Sequence, residues 1–250
     1  MSYVSGRSAP RVQIRQPPER SNPRTSLVSN ARLADAFAAL SRRSMLGAGL
    51  SAAALAAAWP ALAQKGPAQV PVDELMKTDL PDIVVGNADA PVTIVEYASM
   101  TCGHCADFHN KVLPKLKEKY IDTGKAKLIF REFPLDNVAA AVSMLGRCLP
   151  AEASSAFVSE MFKRQQEWAF QPGNPLPRLF EMARQAGFTQ ASFDKCLTDQ
   201  KLLEQIEASR EKASKKFGVN ATPTFFVNGK RLAGVSLAEF EKAIDPLLKG

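Results

Sequence analysis

Cysteine and histidine are scarce in this sequence, with four and two respectively among 250 residues. A zinc site built on the CxxC motif at 102–105 would need two further ligands at a suitable spacing, and no second CxxC motif is present. The sequence also has no Gly-rich phosphate-binding loop, no Ser–His nucleophile pattern and no internal repeat. These absences argue against a zinc protein, a P-loop enzyme, a serine hydrolase and a repeat protein.

Lysine is absent from residues 1–63, which contain eight arginines and two acids, Glu19 and Asp35. Eight minus two leaves a charge of +6, whereas the whole chain has a formal net charge of +7. The remaining residues are therefore close to neutral. Because the basic character belongs to the first segment alone, it does not indicate a nucleic-acid partner.

The same first segment predicts export. Arg42 and Arg43 precede a weakly apolar run rich in Ala and Gly, and "ALA" at 61–63 has the small residues of a signal-peptidase site. Paired arginines before such a mild run resemble a twin-arginine signal. We predict an export signal with a disordered N-terminal extension over 1–63. Two alternatives remain open: an uncleaved anchor at 45–63, or a mitochondrial transit peptide.

The rest of the chain predicts a mixed α/β domain. Residues 64–81 are polar with scattered prolines and are expected to form a linker. Short β-branched and apolar segments predict four strands: "DIVVG" (82–86), "VTIVEYA" (92–98), "AKLIFREF" (126–133) and "TFFV" (224–227). Asn228-Gly229 between "TFFV" and "KRLAG" (230–234) predicts a β-hairpin. Ser236 and Glu239 then form a capping box that opens a final amphipathic helix.

Two helical regions lie between these strands. Phe108, Val112, Leu116 and Tyr120 recur every four residues and predict a helix directly after the CxxC motif, with a kink at Pro114. Residues 135–217 contain several helical patterns and no convincing strand. They therefore predict a helical insert of about eighty residues between two parts of the α/β domain.

The motif "SMTCGHCADFH" at 99–109 is the feature richest in chemistry. Cys102 and Cys105 could close a disulfide, supply half of a zinc site, or pack as small hydrophobic side chains. An exported chain meets oxidising conditions, which favour the disulfide. A CxxC motif that follows a buried strand and opens a helix is typical of a thioredoxin-like redox site.

From about Asp82 to its end, the chain resembles the DsbA-like thiol–disulfide oxidoreductases of the bacterial envelope. The resemblance is carried by Cys102-Gly103-His104-Cys105 after a strand, by "GVNATPTFFVNG" at 218–229, and by the helical insert between them. It implies an α/β structure, namely a thioredoxin-like fold interrupted by an α-helical insert domain. The thioredoxin-like domain would comprise 82–134 and 218–250, and the insert 135–217.

The chemistry of thiol–disulfide exchange assigns different roles to the two cysteines. The attacking sulfur must be exposed and ionised, and Cys102 lies at the start of a helix, where unpaired N–H groups and the helix dipole stabilise negative charge. His104 is expected to add to this stabilisation. Cys105, one turn further along, is expected to be less exposed and to act as the resolving thiol.

The resemblance adds three further site residues. It implies that Glu96, the lone charge in its strand, is a buried acid that accepts the proton of Cys105; a carboxylate reaching solvent is the alternative. It also implies a cis peptide at Thr222-Pro223 opposite the cysteines, with the backbone of Thr222 free to pair with an extended substrate. His109, in contrast, is expected to be structural or solvated.

Cys148 and Cys196 are predicted to form a structural disulfide. Each ends an apolar helical stripe, so both side chains are expected to point into the small core of the insert. The alternative is a pair of buried free cysteines.

Together these features predict a periplasmic dithiol oxidase that donates the Cys102–Cys105 disulfide to exported, cysteine-containing polypeptides. We expect a monomer without a cofactor, metal or nucleic-acid partner. The resemblance implies a membrane-bound, quinone-linked reoxidant. A disulfide isomerase or reductase is the main alternative, and a non-catalytic thioredoxin-fold protein of the envelope is the other.

Overall fold

A computed structural model describes residues 66–249 of the chain. Within them, five strands form one sheet in the order β1-β3-β2-β4-β5. The strands are β1 (Ile83–Val85), β2 (Val92–Ala98), β3 (Ala126–Glu132), β4 (Thr224–Val227) and β5 (Lys230–Arg231). Strands β2 and β3 are parallel, and every other neighbouring pair is antiparallel. The mixed α/β class predicted from the sequence is therefore confirmed.

The centre of the sheet positions the CxxC motif. Strand β2 lies between β3 and β4, and six of its seven residues are buried. This agrees with its nearly continuous apolar sequence, since a central strand is covered on both faces. Glu96, the exception to that apolar pattern, pairs in register with Phe130 and Phe225 and is 0% exposed.

A long helical segment follows the motif over 103–121. Its α-helical parts, Gly103–Asp107 and Leu113–Leu116, alternate with π-helical turns at Phe108–Val112 and Lys117–Ile121. Pro114 has no N–H to continue an α-helical ladder, and the first π-helical turn immediately precedes the short α-helical part that contains it. The irregularity expected at Pro114 therefore takes the form of a wider turn.

Helices occupy most of the chain between β3 and β4. They are Asn137–Arg147, Ala151–Lys163, Gln165–Trp168, Leu176–Gln185, Gln190–Leu197 and Gln200–Phe217. Their apolar faces share one buried cluster with Cys105 and Met100 of the motif region. A buried ion pair joins this insert to the sheet, because Arg147 donates from Nε and Nη2 to the two carboxylate oxygens of Glu132 at 2.5 and 2.7 Å.

The segment predicted to be a linker is part of the folded domain. It contains the short helix Val72–Met76, and both Val70 and Leu75 are buried against the sheet. The N–H of Val70 donates to the carbonyl of Gly229 at 2.8 Å. At that turn Gly229 has a φ of +81°, and a Cβ there would lie 2.1 Å from the oxygen of Val70. The linker interpretation of 64–81 is thus wrong for the described part, because a few buried residues in a polar segment suffice to pack it.

The last helix, Leu237–Ile244, packs Phe240 and Ile244 against the other face of the sheet from the segment around Leu75. The Oγ of Ser236 accepts a hydrogen bond from the N–H of Glu239, as its capping-box sequence predicts. No helix in the range 66–249 is both long and apolar enough to span a bilayer. The predicted export signal lies outside the described residues.

Candidate active site

Cys102 lies at the N-cap of the helix that begins at Gly103. Its backbone is extended, with φ −80° and ψ 118°, and its carbonyl accepts a hydrogen bond from the N–H of Ala106. This is the usual N-cap arrangement, in which the side chain lies beside the unpaired N–H groups of the first turn. Cys102 is partly exposed and Cys105 is buried, and both are free thiols.

The surroundings of Cys102 favour the thiolate. The pKa of Cys102 is lowered to about 5 from an ordinary value of 9.0, chiefly because the thiol of Cys105 donates a hydrogen bond to its sulfur. Partial burial opposes this decrease, whereas Thr222 and the backbone N–H groups of Cys105 and His104 add to it. At neutral pH Cys102 is therefore mostly ionised and ready to attack a disulfide.

Cys105 has the opposite character. It is 0% exposed, and burial raises its pKa far above the ordinary value. Its hydrogen bond to Cys102 and the negative charge of Glu96 raise it further. Cys105 therefore stays protonated until a base takes its proton, which makes it unsuitable for the first attack and suitable for a later one.

The Thr222–Pro223 peptide is cis and lies next to Cys102. The carbonyl oxygen of Thr222 is 3.3 Å from the Cys102 sulfur and accepts its hydrogen bond in the thiol form. The hydroxyl of Thr222 is buried and has no hydrogen-bond partner among the described residues. The side chain of Thr222 lowers the pKa of Cys102.

A mostly apolar groove of about 320 Å³ runs beside this loop. Its lining includes Pro223, Phe108, Val112 and Val235, and Val235 is 39% exposed. The groove lies next to the attacking sulfur and could receive apolar side chains of an extended peptide.

Beneath the motif, Glu96 and His109 form a buried pair. The Oε2 atom of Glu96 lies 2.9 Å from Nε2 of His109, and the two side chains are 0% and 3% exposed. The His109 ring stacks on Phe162 with a centroid separation of 4.2 Å. Glu96 is therefore a buried acid and not a carboxylate that reaches solvent.

His109, expected from the sequence to be structural or solvated, is buried and pairs with Glu96. It lies four residues after Cys105, and this spacing places two side chains on the same helical face. The face of Cys105 is the buried one, and this was the signal for a buried histidine below the motif.

His104 contributes to the surroundings of Cys102 through its main chain. The residue is exposed, and its backbone N–H lowers the pKa of Cys102. A contribution of the His104 side chain to the thiolate stays a prediction.

Two residues of the insert hold the turn that carries Cys102. The Nε2 amide of Gln165 donates to the carbonyls of Met100 and Cys102 at 2.7 and 3.0 Å. On the other side, the hydroxyl of Thr101 donates to Asp136 at 2.6 Å, and Asp136 also caps the helix Asn137–Arg147. The sequence gives no sign of these contacts, because they join residues far apart in the chain.

Cys148 and Cys196 are joined by a disulfide with an S–S distance of 2.12 Å. Cys196 is 3% exposed, but Cys148 is exposed at the end of its helix. The expectation that both side chains point into the core is thus wrong for Cys148, because the helix ends at Arg147 and the apolar stripe does not continue. Among residues 66–249, no three His, Cys, Asp or Glu side chains are grouped as metal ligands.

Comparison with known proteins gives the family of the chain. A family model described as thioredoxin matches residues 78–246. A Rickettsia bellii protein named "Putative protein-disulfide oxidoreductase" is 34% identical over 175 residues, which cover 69% of this chain and 67% of that protein.

Two further relatives carry names of the same kind. A Bacillus subtilis protein named "Disulfide bond formation protein D" is 27% identical, over 67% of this chain and 77% of its own length. The crystal structure of α-DsbA1 from Wolbachia pipientis is 34% identical and superimposes with a TM-score of 0.66, covering 72% of this chain and 96% of that structure. The chain belongs to the thioredoxin family and, within it, to the DsbA-like thiol–disulfide oxidoreductases.

Proposed function

We propose that the protein is a dithiol oxidase, which donates the Cys102–Cys105 disulfide to cysteine-containing proteins exported to the periplasm. The observation that carries this proposal is the stabilised thiolate at Cys102, with a pKa of about 5. Only the reduced enzyme contains this thiolate. Whatever stabilises it therefore favours the reduced enzyme and makes the disulfide a better oxidant.

The low pKa of Cys102 is sufficient to change the reduction potential of the enzyme. A thiolate pKa of about 5 stabilises the reduced form at pH 7 by up to ~2.7 kcal/mol. The same free energy corresponds to an oxidising shift of roughly 60 mV. Both figures are upper bounds, because Cys102 is partly exposed and solvent screens its charge.

The roles of the site residues follow from this arrangement. A client thiolate attacks the Cys102 sulfur of the oxidised enzyme, and Cys105 leaves and takes up a proton. A second client thiol then attacks the client sulfur of the mixed disulfide. The client disulfide forms, and Cys102 leaves as a thiolate. In the reverse direction Cys102 attacks, Cys105 resolves the mixed disulfide, and Glu96 accepts the Cys105 proton.

Client binding would use the groove beside Pro223. The cis peptide leaves the backbone of Thr222 directed at the cysteines, where an extended client segment can pair with it as an added strand. Client side chains would then contact the apolar lining formed by Phe108, Val112 and Val235. Such a site recognises unfolded polypeptide by main-chain contacts, and so serves many sequences.

An equilibrium titration against reduced and oxidised glutathione tests the proposal. We expect a reduction potential well above the roughly −270 mV of thioredoxin, together with oxidation of a reduced multi-disulfide substrate. A potential near that of thioredoxin, with efficient reduction of insulin, would identify a reductase. Reshuffling of scrambled disulfides without net oxidation would identify an isomerase.

Cysteine variants test the two roles separately. Cys105→Ser should accumulate mixed disulfides with client proteins, because Cys102 can still attack and no resolving thiol remains. Cys102→Ser should form none, since Cys105 is buried and protonated. Non-reducing electrophoresis with mass spectrometry detects the adducts, and trapping by Cys102→Ser instead would reverse the assignment.

Periplasmic location is proposed from residues 1–63, which lie outside the described part. Replacing both Arg42 and Arg43 by Lys should leave precursor in the cytoplasm if the signal uses the twin-arginine route. Normal export of this variant would indicate the general secretory route, and persistence of the leader on exported protein would indicate a membrane anchor.

Reoxidation of the dithiol is assigned to a membrane quinone-linked partner. A membrane preparation depleted of quinone should therefore fail to reoxidise the reduced protein.

A further inference from the structure

The Glu96–His109 pair has two polar atoms without partners. Nε2 of His109 and Oε2 of Glu96 are 2.9 Å apart, whereas Nδ1 of His109 and Oε1 of Glu96 have no hydrogen-bond partner in the described residues. Both of these atoms are fully buried. Because a native core leaves few buried polar groups unpaired, such atoms call for a functional explanation.

The surroundings of the ring determine where its proton is best placed. His109 stacks on Phe162 and lies nearly perpendicular to the rings of Phe108 and Phe130, and its Nδ1 atom is buried without a partner among the described residues. A proton on Nδ1 would be a buried donor without an acceptor, which is unfavourable. A proton on Nε2 instead points at the Glu96 carboxylate and makes a charge-assisted hydrogen bond. The geometry therefore favours an imidazole that donates from Nε2.

This hydrogen bond engages only one of the two carboxylate oxygens. Oε1 of Glu96 remains buried, unpaired and able to accept a proton. Cys105 is the group that must lose a proton in the reaction; it is also 0% exposed, and the charge of Glu96 adds to the increase that burial causes in its pKa. Cys105 and His109 are one turn apart on one face of the helix, and Glu96 lies on the strand beneath that face.

We propose that His109 is a positioning residue for resolution by Cys105: its Nε2–H holds Oε2 of Glu96, so that Oε1 is kept as the acceptor of the Cys105 proton. The inference rests on the proposed thiol–disulfide exchange and adds a residue to it. His109 itself neither receives that proton nor contacts the reacting sulfurs.

The step in question balances as follows. The proton of the Cys105 thiol moves to Oε1 of Glu96, and the Cys105 sulfur attacks the Cys102 sulfur of the mixed disulfide. The bond between Cys102 and the partner sulfur breaks as the Cys102–Cys105 bond forms. The partner sulfur leaves as a thiolate, so the enzyme dithiol is oxidised and the partner disulfide is reduced. In the opposite direction Glu96 returns the proton to Cys105.

Single-turnover oxidation of the reduced full-length protein by oxidised glutathione separates the two steps. Cys102 first forms a mixed disulfide with one glutathione, and Cys105 then releases it. Acid quenching followed by intact-mass analysis measures the rate of adduct formation and the rate of its resolution. The first rate tests the proposed function, and the second tests the role of His109.

Two substitutions of His109 distinguish a donor from a packing residue. His109→Leu should slow resolution by roughly tenfold or more, a loss in the range for an impaired proton acceptor, and leave adduct formation unchanged. His109→Gln places an amide donor close to the position of Nε2 and should restore resolution to about a third of the wild-type rate or better. Glu96→Gln, which cannot accept the proton, should slow resolution at least as much as His109→Leu.

Phe162→Leu is the matched packing control, because it removes the stacked ring and leaves the hydrogen bond to Glu96. It should resolve the adduct within about twofold of wild type. Resolution slowed equally by Phe162→Leu and His109→Leu would reduce His109 to a packing residue. Resolution as slow in His109→Gln as in His109→Leu would show that the imidazole proton itself is needed, and would overturn the positioning role.

Nitrogen NMR reports the tautomer of His109 in the wild-type protein. The sequence has two histidines, so ¹⁵N-histidine labelling gives two pairs of imidazole signals, and the pair of His104 is identified by its loss in a His104→Asn variant. We expect His109 as the neutral Nε2–H form in the reduced protein, and an Nδ1–H form would overturn the proposal. Failure of the wild-type protein to form any glutathione adduct would instead overturn the proposed function, and this inference with it.

Discussion

At the scale of single residues, Cys102 and Cys105 are three residues apart and their pKa values are shifted in opposite directions. Cys102 meets the N–H groups at the helix start, and its pKa is lowered to about 5. Cys105 is one turn further along, where burial raises its pKa. The hydrogen bond between them contributes to both shifts, because donation by Cys105 stabilises the Cys102 thiolate and the protonated Cys105 together. The motif and the burial of its second half therefore account for the difference in pKa on which the proposed order of attack depends.

His104 provides a test of whether this stabilisation comes from the side chain or from the main chain. The backbone N–H of His104 lowers the Cys102 pKa, whereas its ring is exposed. His104→Ala keeps the N–H and should change the Cys102 pKa by less than about 0.3 units. His104→Pro removes the N–H in the first helical turn, where proline is tolerated, and should raise that pKa by up to about 1 unit.

Thiolate absorbance at 240 nm against pH measures both values. The control is Lys163→Ala, an exposed change near the same surface that leaves the motif intact. An increase in pKa as large for His104→Ala as for His104→Pro would assign the effect to the imidazole.

At the scale of elements, the insert positions the active-site turn as well as covering it. The short helix Gln165–Trp168 contributes Gln165, which is 2% exposed and donates to two carbonyls of the turn. The helix Asn137–Arg147 contributes its N-cap, Asp136, which accepts a hydrogen bond from Thr101. The turn is thereby held from two sides by elements that are distant in sequence.

Removal of the Gln165 amide should loosen this turn. Gln165→Leu removes the side-chain donor to the buried carbonyl of Met100, whereas the carbonyl of Cys102 keeps its hydrogen bond from the N–H of Ala106. We therefore expect a loss of about 1–3 kcal/mol in the free energy of unfolding. Amide hydrogen exchange at 99–103 should accelerate. Gln166→Leu is the matched control, since the neighbouring side chain is exposed. Unchanged exchange at 99–103 in Gln165→Leu, with stability equal to that of the control, would contradict the positioning role.

Much of the fold could be predicted from the sequence, because local patterns determine its elements. The strand predicted at 92–98 has the bounds of β2, and Asn228-Gly229 forms the expected turn. The contacts that complete the site are long-range and leave no local pattern. Gln165 donates across 63 residues to Cys102, and the packed segment around Leu75 has a polar sequence. His109 is intermediate, since its spacing from Cys105 was available and its partner Glu96 was already singled out.

At the scale of the whole molecule, the CxxC pair lies at the start of a helix, whereas the second pair lies at the ends of two helices. Cys102 precedes a helix, whereas Cys148 is the C-cap of one helix and Cys196 lies in the last turn of another. The helix dipole favours a thiolate at the first site and disfavours it at the other two. Because a thiol of high pKa is a poor leaving group, the Cys148–Cys196 disulfide should be reduced slowly.

The second disulfide should therefore be structural. Mild reductant should open Cys102–Cys105 and leave Cys148–Cys196 intact, as measured by differential alkylation and mass spectrometry. The cross-link joins residues 48 apart, for which chain entropy gives at most about 4 kcal/mol. The double variant Cys148→Ala/Cys196→Ala should lose about 2–4 kcal/mol of unfolding free energy and keep the Cys102 pKa. Equal reduction of both disulfides would assign a redox role to the second.

The stability of the whole molecule should depend on its redox state in a pH-dependent way. The Cys102 pKa is depressed in the folded reduced protein, to about 5 from 9.0, so the thiolate contributes stability that is complete above the unfolded value. That contribution decreases as pH falls from about 9 to about 5 and is lost below it, with a slope of at most about 1.4 kcal/mol per pH unit. The oxidised protein has no thiolate and therefore lacks this contribution to the free energy of unfolding.

Chemical denaturation of both redox forms between pH 8 and pH 4 measures the effect. For a dithiol oxidase we expect the reduced form to be the more stable at pH 7, with its advantage decreasing toward pH 5 and levelling off below. Reduced Cys102→Ser protein has no thiolate to titrate and should lack this decrease. An advantage of the reduced form that is constant with pH would remove the Cys102 thiolate as its cause. A more stable oxidised form at pH 7 would count against the oxidase, because an enzyme that gives its disulfide away must be more stable without it.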